Sequence, residues 1–147
     1  MNTKKHVAGC FFFFLLVVAP VFSDAPWMEN VLTGFESHRT ADDRPFFQME
    51  LVPLTGGPVR LSVIVPDGGC IESDTLVVSS LKDGEIREID LLYTLEGQPC
   101  KALFARELTA ALNLPEAGRY RIRLWLYEAY YQQKGKELIG ERNISIR

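Results

Sequence analysis

Apolar and polar residues alternate in short runs from residue 45 to the C-terminus, and this period-two pattern is the feature that most restricts the fold. Successive side chains of a β-strand point to opposite faces of a sheet, so such runs are typical of strands with one buried face. The clearest runs lie at residues 47–51, 59–65 and 120–126. We therefore predict an all-β fold, an antiparallel β-sandwich, for residues 45–147.

Turn-forming residues separate these runs at the spacing that sandwiches and barrels show. Asp83-Gly84 is the strongest hairpin signal, because both residues tolerate the backbone angles of a two-residue turn. Residues 66–69, Pro-Asp-Gly-Gly, predict a second turn. No internal repeat or linker divides the chain, which indicates a single domain.

Residues 101–114 are the exception to the alternation. Phe104, Leu108 and Leu112, together with Ala111, recur at helical spacing and would share one face of a helix. We expect a strand near residues 100–104 and then at most one short helix near residues 104–112.

One local pattern leads into the penultimate strand. Leu114, Gly118 and Tyr120 reproduce the order of leucine, glycine turn and tyrosine in a tyrosine corner. The segment resembles the corner of immunoglobulin-like and fibronectin-III-like β-sandwiches. The resemblance concerns the fold alone, and it implies that the Tyr120 hydroxyl bonds to backbone a few residues upstream.

The N-terminus has the three parts of a secretory signal peptide at residues 1–23. Lys4 and Lys5 precede an apolar run over residues 7–21, and Ser23 supplies the small residue before the cleavage point. The run is shorter than the roughly 20 residues of a membrane span. We expect an exported protein, periplasmic or secreted and without stable membrane insertion. The two lysines and the phenylalanine-rich core favour a bacterial host. Residues 24–44 are polar, and we predict an irregular segment or a loosely packed first strand.

Charge and cysteine content limit the partners of the mature chain. The full chain has a net charge of −3, and loss of the two leader lysines makes it more acidic. An acidic chain without a basic patch argues against nucleic acid, whose phosphates require Lys and Arg. Cys70 and Cys100 remain after cleavage, and in an oxidising compartment we expect them to form a disulfide. A reactive thiol pair or a metal site are the alternatives.

The chain shows no catalytic set and no cofactor motif, so we predict neither an enzyme nor a resident cofactor or metal. His38 is the sole histidine outside the leader, and its polar surroundings suggest a solvated side chain. Two alternatives use acidic residues: a hydrolase of envelope polymers working through paired carboxylates, and a calcium site at Asp67 and Asp74. The acids considered for the hydrolase are Asp42, Asp43, Asp67, Asp74 and Asp90.

The final hairpin carries the one surface for which we predict a function. If Tyr120, Ile122 and Leu124 face the core, the intervening residues face outward, and they are types enriched in binding hot spots. The predicted binding residues are Arg121, Arg123, Trp125, Tyr127, Tyr130 and Tyr131. We expect an exported, non-catalytic binding or accessory protein whose partner is a protein or a carbohydrate. A small acidic inhibitor of a secreted hydrolase is a variant of this interpretation. The structural alternative is that Trp125 and Tyr127 are covered by the N-terminal segment, for example by Trp27, or only pack against neighbouring strands.

Overall fold

The computed structural model describes residues 26–131 and 133–147, and strands dominate them. The elements are a 3₁₀ turn (Pro26–Met28) and strands β1 (Leu32–Thr40), β2 (Glu50–Pro53), β3 (Val59–Lys82), β4 (Arg87–Leu112), β5 (Gly118–Glu128) and β6 (Glu137–Ile146). The all-β prediction is confirmed. Within the described ranges, the structure has no helix of the length and hydrophobicity that a membrane crossing requires. The signal peptide prediction lies outside the described residues.

All six strands belong to one sheet, in the order β2-β3-β4-β5-β6, with β1 beside β4. β3 and β4 form a long hairpin that turns at Asp83-Gly84, as predicted. The other edge of β4 pairs twice, with β5 along its first half and with β1 along its second half. The β4–β5 pair is parallel, so the described residues form one mixed sheet where we expected an antiparallel β-sandwich.

The parallel pair exists because β4 curls back on itself. Its 26 residues would span about 85 Å if straight. Only residues 113–117 connect β4 to β5, and six Cα steps reach at most about 21 Å. Tyr120 of β5 nevertheless pairs with Arg87 at the start of β4. The two ends of β4 must therefore lie close together, and the sheet forms a half-barrel. The curl of β4 brings the chain back to the start of this strand, so no separate crossover connection is needed before β5.

The largest irregularity in the β3–β4 register is a bulge next to the disulfide. Between the pairs Asp67↔Phe104 and Gly69↔Pro99, residues 100–103 of β4 lie opposite the single residue Gly68. A bulge of this kind bends its strand and increases the local twist. The predicted turn at residues 66–69 is therefore wrong, because this segment stays within β3 and forms the partner strand of the bulge.

The predicted disulfide and a glycine hold the two strands together at the bend. Cys70 and Cys100 are bonded, with their Cα atoms 5.5 Å apart. Gly97 has a φ of 151°, which favours glycine, and a Cβ there would lie 2.1 Å from the Cys70 carbonyl oxygen. The bend therefore combines a covalent bond, which stabilises it, with a close backbone approach that only glycine allows.

The predicted helix near residues 104–112 is wrong, because this segment is the second half of β4. Leu108, Ala110 and Leu112 are buried and alternate with partly exposed residues. Both edges of the segment are paired, with β1 on one side and β3 on the other. The pairing on both edges overrides the helical preference of the alanines.

Part of the segment predicted as irregular is ordered structure. Residues 32–40 form β1, and Trp27 and Val31 ahead of it are buried in the core. The Trp27 ring contacts Tyr120 edge to face, with centroids 5.7 Å apart. Sequence reasoning missed these contacts because two isolated apolar residues show no periodicity.

The core fills the inside of the half-barrel with residues from both halves of the β3–β4 hairpin and from β5. The fully buried Tyr120 donates a hydrogen bond from its hydroxyl to the Glu116 carbonyl oxygen, at 2.9 Å. This is the bond that the tyrosine-corner resemblance implied. It fixes the start of β5 and therefore the direction of the side chains that follow.

Candidate functional site

The predicted alternation of β5 is confirmed. Ile122, Leu124 and Leu126 are buried inside the half-barrel. The four intervening residues Arg121, Arg123, Trp125 and Tyr127 lie on the outward, convex face and are partly exposed. Four of the six predicted binding residues therefore share one surface, whose neighbours are set by the register of β3, β4 and β6.

The two arginines of this face are held by acids on β4. Arg123 makes a two-point contact with Asp90, with nitrogen–oxygen distances of 2.5 and 3.0 Å. Arg121 donates to Glu88 at 2.9 Å. Burial opposes ionisation of Asp90, but hydrogen bonds from Arg123 and Ser80 outweigh it and hold the Asp90 pKa below its ordinary value. The hydrogen bond to Asp90 likewise raises the pKa of Arg123. The guanidinium groups are thus largely neutralised.

An apolar row crosses the same face at the level of Trp125. Val77 pairs with Leu92, Leu92 with Trp125, and Trp125 with Leu138, so the row runs over β3, β4, β5 and β6. Its two ends are well exposed, Val77 at 48% and Leu138 at 43%. Leu92 and Trp125 in the middle are half-buried. Sequence reasoning found Trp125 but not its neighbours, because alternation on one strand does not reveal the register with the next.

The surroundings of this apolar row are polar. On one side lie the ion pairs of Arg121 and Arg123, and on the other side Tyr127 pairs with Thr94 of β4. The Lys136 ammonium lies 4.9 Å from the centre of the Trp125 ring, a cation–π contact. The face therefore has an apolar centre and a charged rim, the arrangement of protein–protein interfaces.

Tyr130 and Tyr131 do not belong to this row. They follow β5 and contact each other, with ring centroids 4.8 Å apart. The Tyr130 hydroxyl donates to the buried carboxylate of Glu128 at 2.7 Å, and Lys134 donates to the same carboxylate. Burial, and then the hydrogen bond to Glu128, raise the pKa of Tyr130. Tyr130 is thus part of a buried polar contact.

A second polar cluster lies inside the half-barrel. The Asp67 carboxylate is fully buried and is bound by Arg39 and Arg106, at 3.2 and 3.1 Å. Nearby, Asp74 accepts hydrogen bonds from Tyr93, at 2.6 Å, and from Ser37. Burial, and then the bond to Asp74, raise the Tyr93 pKa. The two guanidinium groups at Asp67 repel a cation, which argues against the calcium alternative.

The sequence did contain a signal for this cluster. Asp67 continues the inward series 59, 61, 63 and 65, and Arg106 continues the inward series 112, 110 and 108. An acid and a base at inward positions on neighbouring strands predict a buried ion pair. We had assigned Asp67 to a turn instead.

A third group of charges lies on the convex face around Glu107. Its carboxylate accepts hydrogen bonds from Arg44, at 2.6 Å, and from Ser62, at 3.1 Å. His38 lies 3.8 Å away with its side chain 62% exposed. Asp42 also binds Arg44. The hydrogen bond from Arg44 holds the pKa of Glu107 below its ordinary value. This group is an ion-paired cluster that anchors the segment before β2.

No known protein family matches the chain, and neither a curated protein nor a solved structure is similar to it.

Proposed function

We propose that this protein is an exported, non-catalytic binding or accessory protein that recognises a protein partner through the face centred on Trp125. The observation that carries the proposal is the apolar row from Val77 to Leu138, exposed at both ends and bordered by ion pairs. The spacing of strands in a sheet gives the row a length of about 14 Å. An apolar centre bordered by polar groups is the composition that protein interfaces show.

The arginines have a different role in this proposal from the one first expected. Arg121 and Arg123 are already bound to Glu88 and Asp90, so they offer little unpaired charge to a partner. Breaking such a pair at an interface would leave a buried charge at high cost. We therefore assign the binding energy to Trp125 and its apolar neighbours. The charged rim would orient the partner protein on the face.

A carbohydrate fits this face less well than a protein. Sugar rings bind aromatic residues by stacking on the open face of the ring. Lys136 lies over the Trp125 ring, so a sugar would have to displace the ammonium group first. A protein surface can instead pack along the whole row, at Val77 and Leu138 as well as at Trp125.

The hydrolase alternative finds little support in the positions of the acids. Asp90 lies on the convex face and binds Arg123, whereas Asp67 lies inside the half-barrel and binds two arginines. A glycosidase needs two carboxylates that converge on one bond, one of them with a raised pKa. The pKa of Asp90 is instead lowered.

The test is affinity purification of the tagged protein from its own compartment, with mass spectrometry of the co-purifying proteins. Val77→Asp and Leu138→Asp change the two exposed ends of the row, so the core stays intact. The matched control is Leu103→Asp, because Leu103 is 67% exposed and lies on the bulge, away from the row. We expect a stoichiometric partner that both row variants lose and that the control retains. A partner retained by both row variants, or no partner at all, would contradict the proposal.

A further inference from the structure

β1 leaves one strand edge unpaired. Among the described residues β1 pairs only with β4, so its opposite edge has no strand neighbour. The strand has nine residues and contains no proline. Its exposed backbone groups form a template to which another extended strand can add.

We propose that the free edge of β1 pairs with the same edge of a second copy of this chain, forming an antiparallel dimer with one continuous sheet. Charge complementarity supports this dimer, in a register that symmetry restricts. It is independent of the Trp125 face, which lies on β3, β4, β5 and β6.

Symmetry limits the registers of such a dimer. A two-fold axis perpendicular to the sheet keeps the convex face of one copy beside the convex face of the other. Directly opposed residues must then lie on the same face, so the axis has to pass midway between one residue of β1 and the same residue of the second copy. The candidates near the middle of β1 are axes at Glu36, Ser37 and His38.

The axis at Ser37 places an acidic side chain opposite a basic one on the convex face. It places Glu36 opposite the second copy's His38, and the same contact occurs twice. Directly opposed side chains have Cβ atoms about 5 Å apart, so an imidazole N–H can donate to the carboxylate. An axis at Glu36 would oppose two glutamates instead, and like charges in that position are destabilising. An axis at His38 would oppose two histidines and would place Glu36 opposite Thr40, so it gives no contact between opposite charges.

Both side chains are accessible for this contact. Glu36 is exposed, pairs across the strand with Thr109, and makes no ion pair within the described part of the chain. His38 has 62% of its side chain exposed, and its neighbour Glu107 is bound to Arg44. The acidic neighbour of His38 is therefore already paired with an arginine.

The opposite face of β1 provides a second matched contact in the same register. Phe35 lies opposite the second copy's Arg39. The Arg39 guanidinium already lies 3.9 Å from the centre of the Phe104 ring, and its side chain is 44% exposed. Arg39 also binds Asp67, so the second copy's Phe35 would pack beside a guanidinium group that is already held in place.

Two charge variants test the register. Glu36→Lys brings the introduced lysine opposite His38 in its own dimer, and His38→Glu brings the introduced glutamate opposite Glu36. When the two variants are mixed, the heterodimer pairs the introduced lysine with the introduced glutamate and keeps one contact between Glu36 and His38. The measurement is sedimentation velocity on the exported protein across the micromolar range. Glu72→Lys is the control, because it makes the same charge change at an exposed position of β3.

We expect the wild-type protein and the Glu72→Lys control to sediment as dimers. Each of the two β1 variants should weaken the dimer at least about tenfold, because two contacts are lost at once. The equimolar mixture should regain the mass of a dimer. Circular dichroism must show that each variant keeps the strand spectrum of the wild type. Val77→Asp and Leu138→Asp should leave the dimer unchanged.

Three results would overturn the proposal. They are a wild-type monomer over the whole concentration range, a dimer that both β1 variants retain, and folded variants whose mixture stays monomeric.

Discussion

Removal of the Cys70–Cys100 disulfide should lower the free energy of unfolding by about 3–4 kcal/mol. The bond closes a loop with a sequence separation of 30 residues. For a loop of that length, the lost entropy of the unfolded chain is about 12 cal/mol/K, or roughly 3.6 kcal/mol at 25 °C. Domains of this size have a total stability of about 5–15 kcal/mol, so the reduced protein should still fold at 25 °C.

Urea denaturation of the wild type and of the Cys70→Ser/Cys100→Ser variant measures this loss. The slope of the free energy against urea should increase in the variant, because its unfolded chain is less compact and exposes more surface. The wild type in a reducing agent should match the variant, which controls for the serine substitutions. A loss below about 1 kcal/mol with an unchanged slope would refute the reasoning.

Four further outcomes follow, the first from the sequence and the other three from the structure. N-terminal mass spectrometry of the exported protein should find Asp24 as the first residue, because Ser23 closes the leader. Trp27→Ala should cost about 3–5 kcal/mol in urea denaturation, because the ring is fully buried against Tyr120. Tyr120→Phe should cost about 1 kcal/mol by the same method, because it removes the bond to the Glu116 carbonyl. Asp90→Asn should cost about 1–2 kcal/mol at pH 7, because it removes a charged partner of Arg123. The folded pKa of Asp90 is lowered, so this difference should hold above about pH 4, the unfolded value, and disappear as the pH falls through the folded pKa. A difference that is constant with pH would contradict the assignment of charge to Asp90.

Local features of the chain were predictable because their cause lies in a few adjacent residues. The Asp83-Gly84 turn, the inward and outward faces of β5 and the hydroxyl bond of Tyr120 are all of this kind. The disulfide was also predictable, because only two cysteines lie outside the leader.

The order of strands was not predictable, because alternation gives the face of a residue and not its partner. The parallel pairing of β4 with β5 depends on the bend at residues 100–103, where the sequence Cys-Lys-Ala-Leu carries no local signal for a bend and was predicted as strand. The helical prediction for residues 104–112 failed for a related reason. Leu108 and Leu112 fit both periods, and only the pairing on both edges selects the strand.

The candidate site was predictable in part. Trp125 and Tyr127 were placed correctly on the outward face, but Leu92 and Leu138 join Trp125 only through the register. The pairing of Arg123 with Asp90 depends on the same register. The residue types that β5 contributes to the Trp125 face could therefore be predicted from β5 alone. The apolar row could not, because it depends on the register of β5 with the neighbouring strands.

The most direct test of the central claim is photo-crosslinking in the living host. A photoreactive phenylalanine analogue is placed at Leu138, at Val77 and, as a control, at Leu103, and the adducts are identified by mass spectrometry. If the proposed function is correct, the analogue at positions 138 and 77 will crosslink to the same partner protein, and the analogue at position 103 will not. Adducts from position 103 alone, or none from positions 138 and 77, would contradict the claim that the Trp125 face binds a protein.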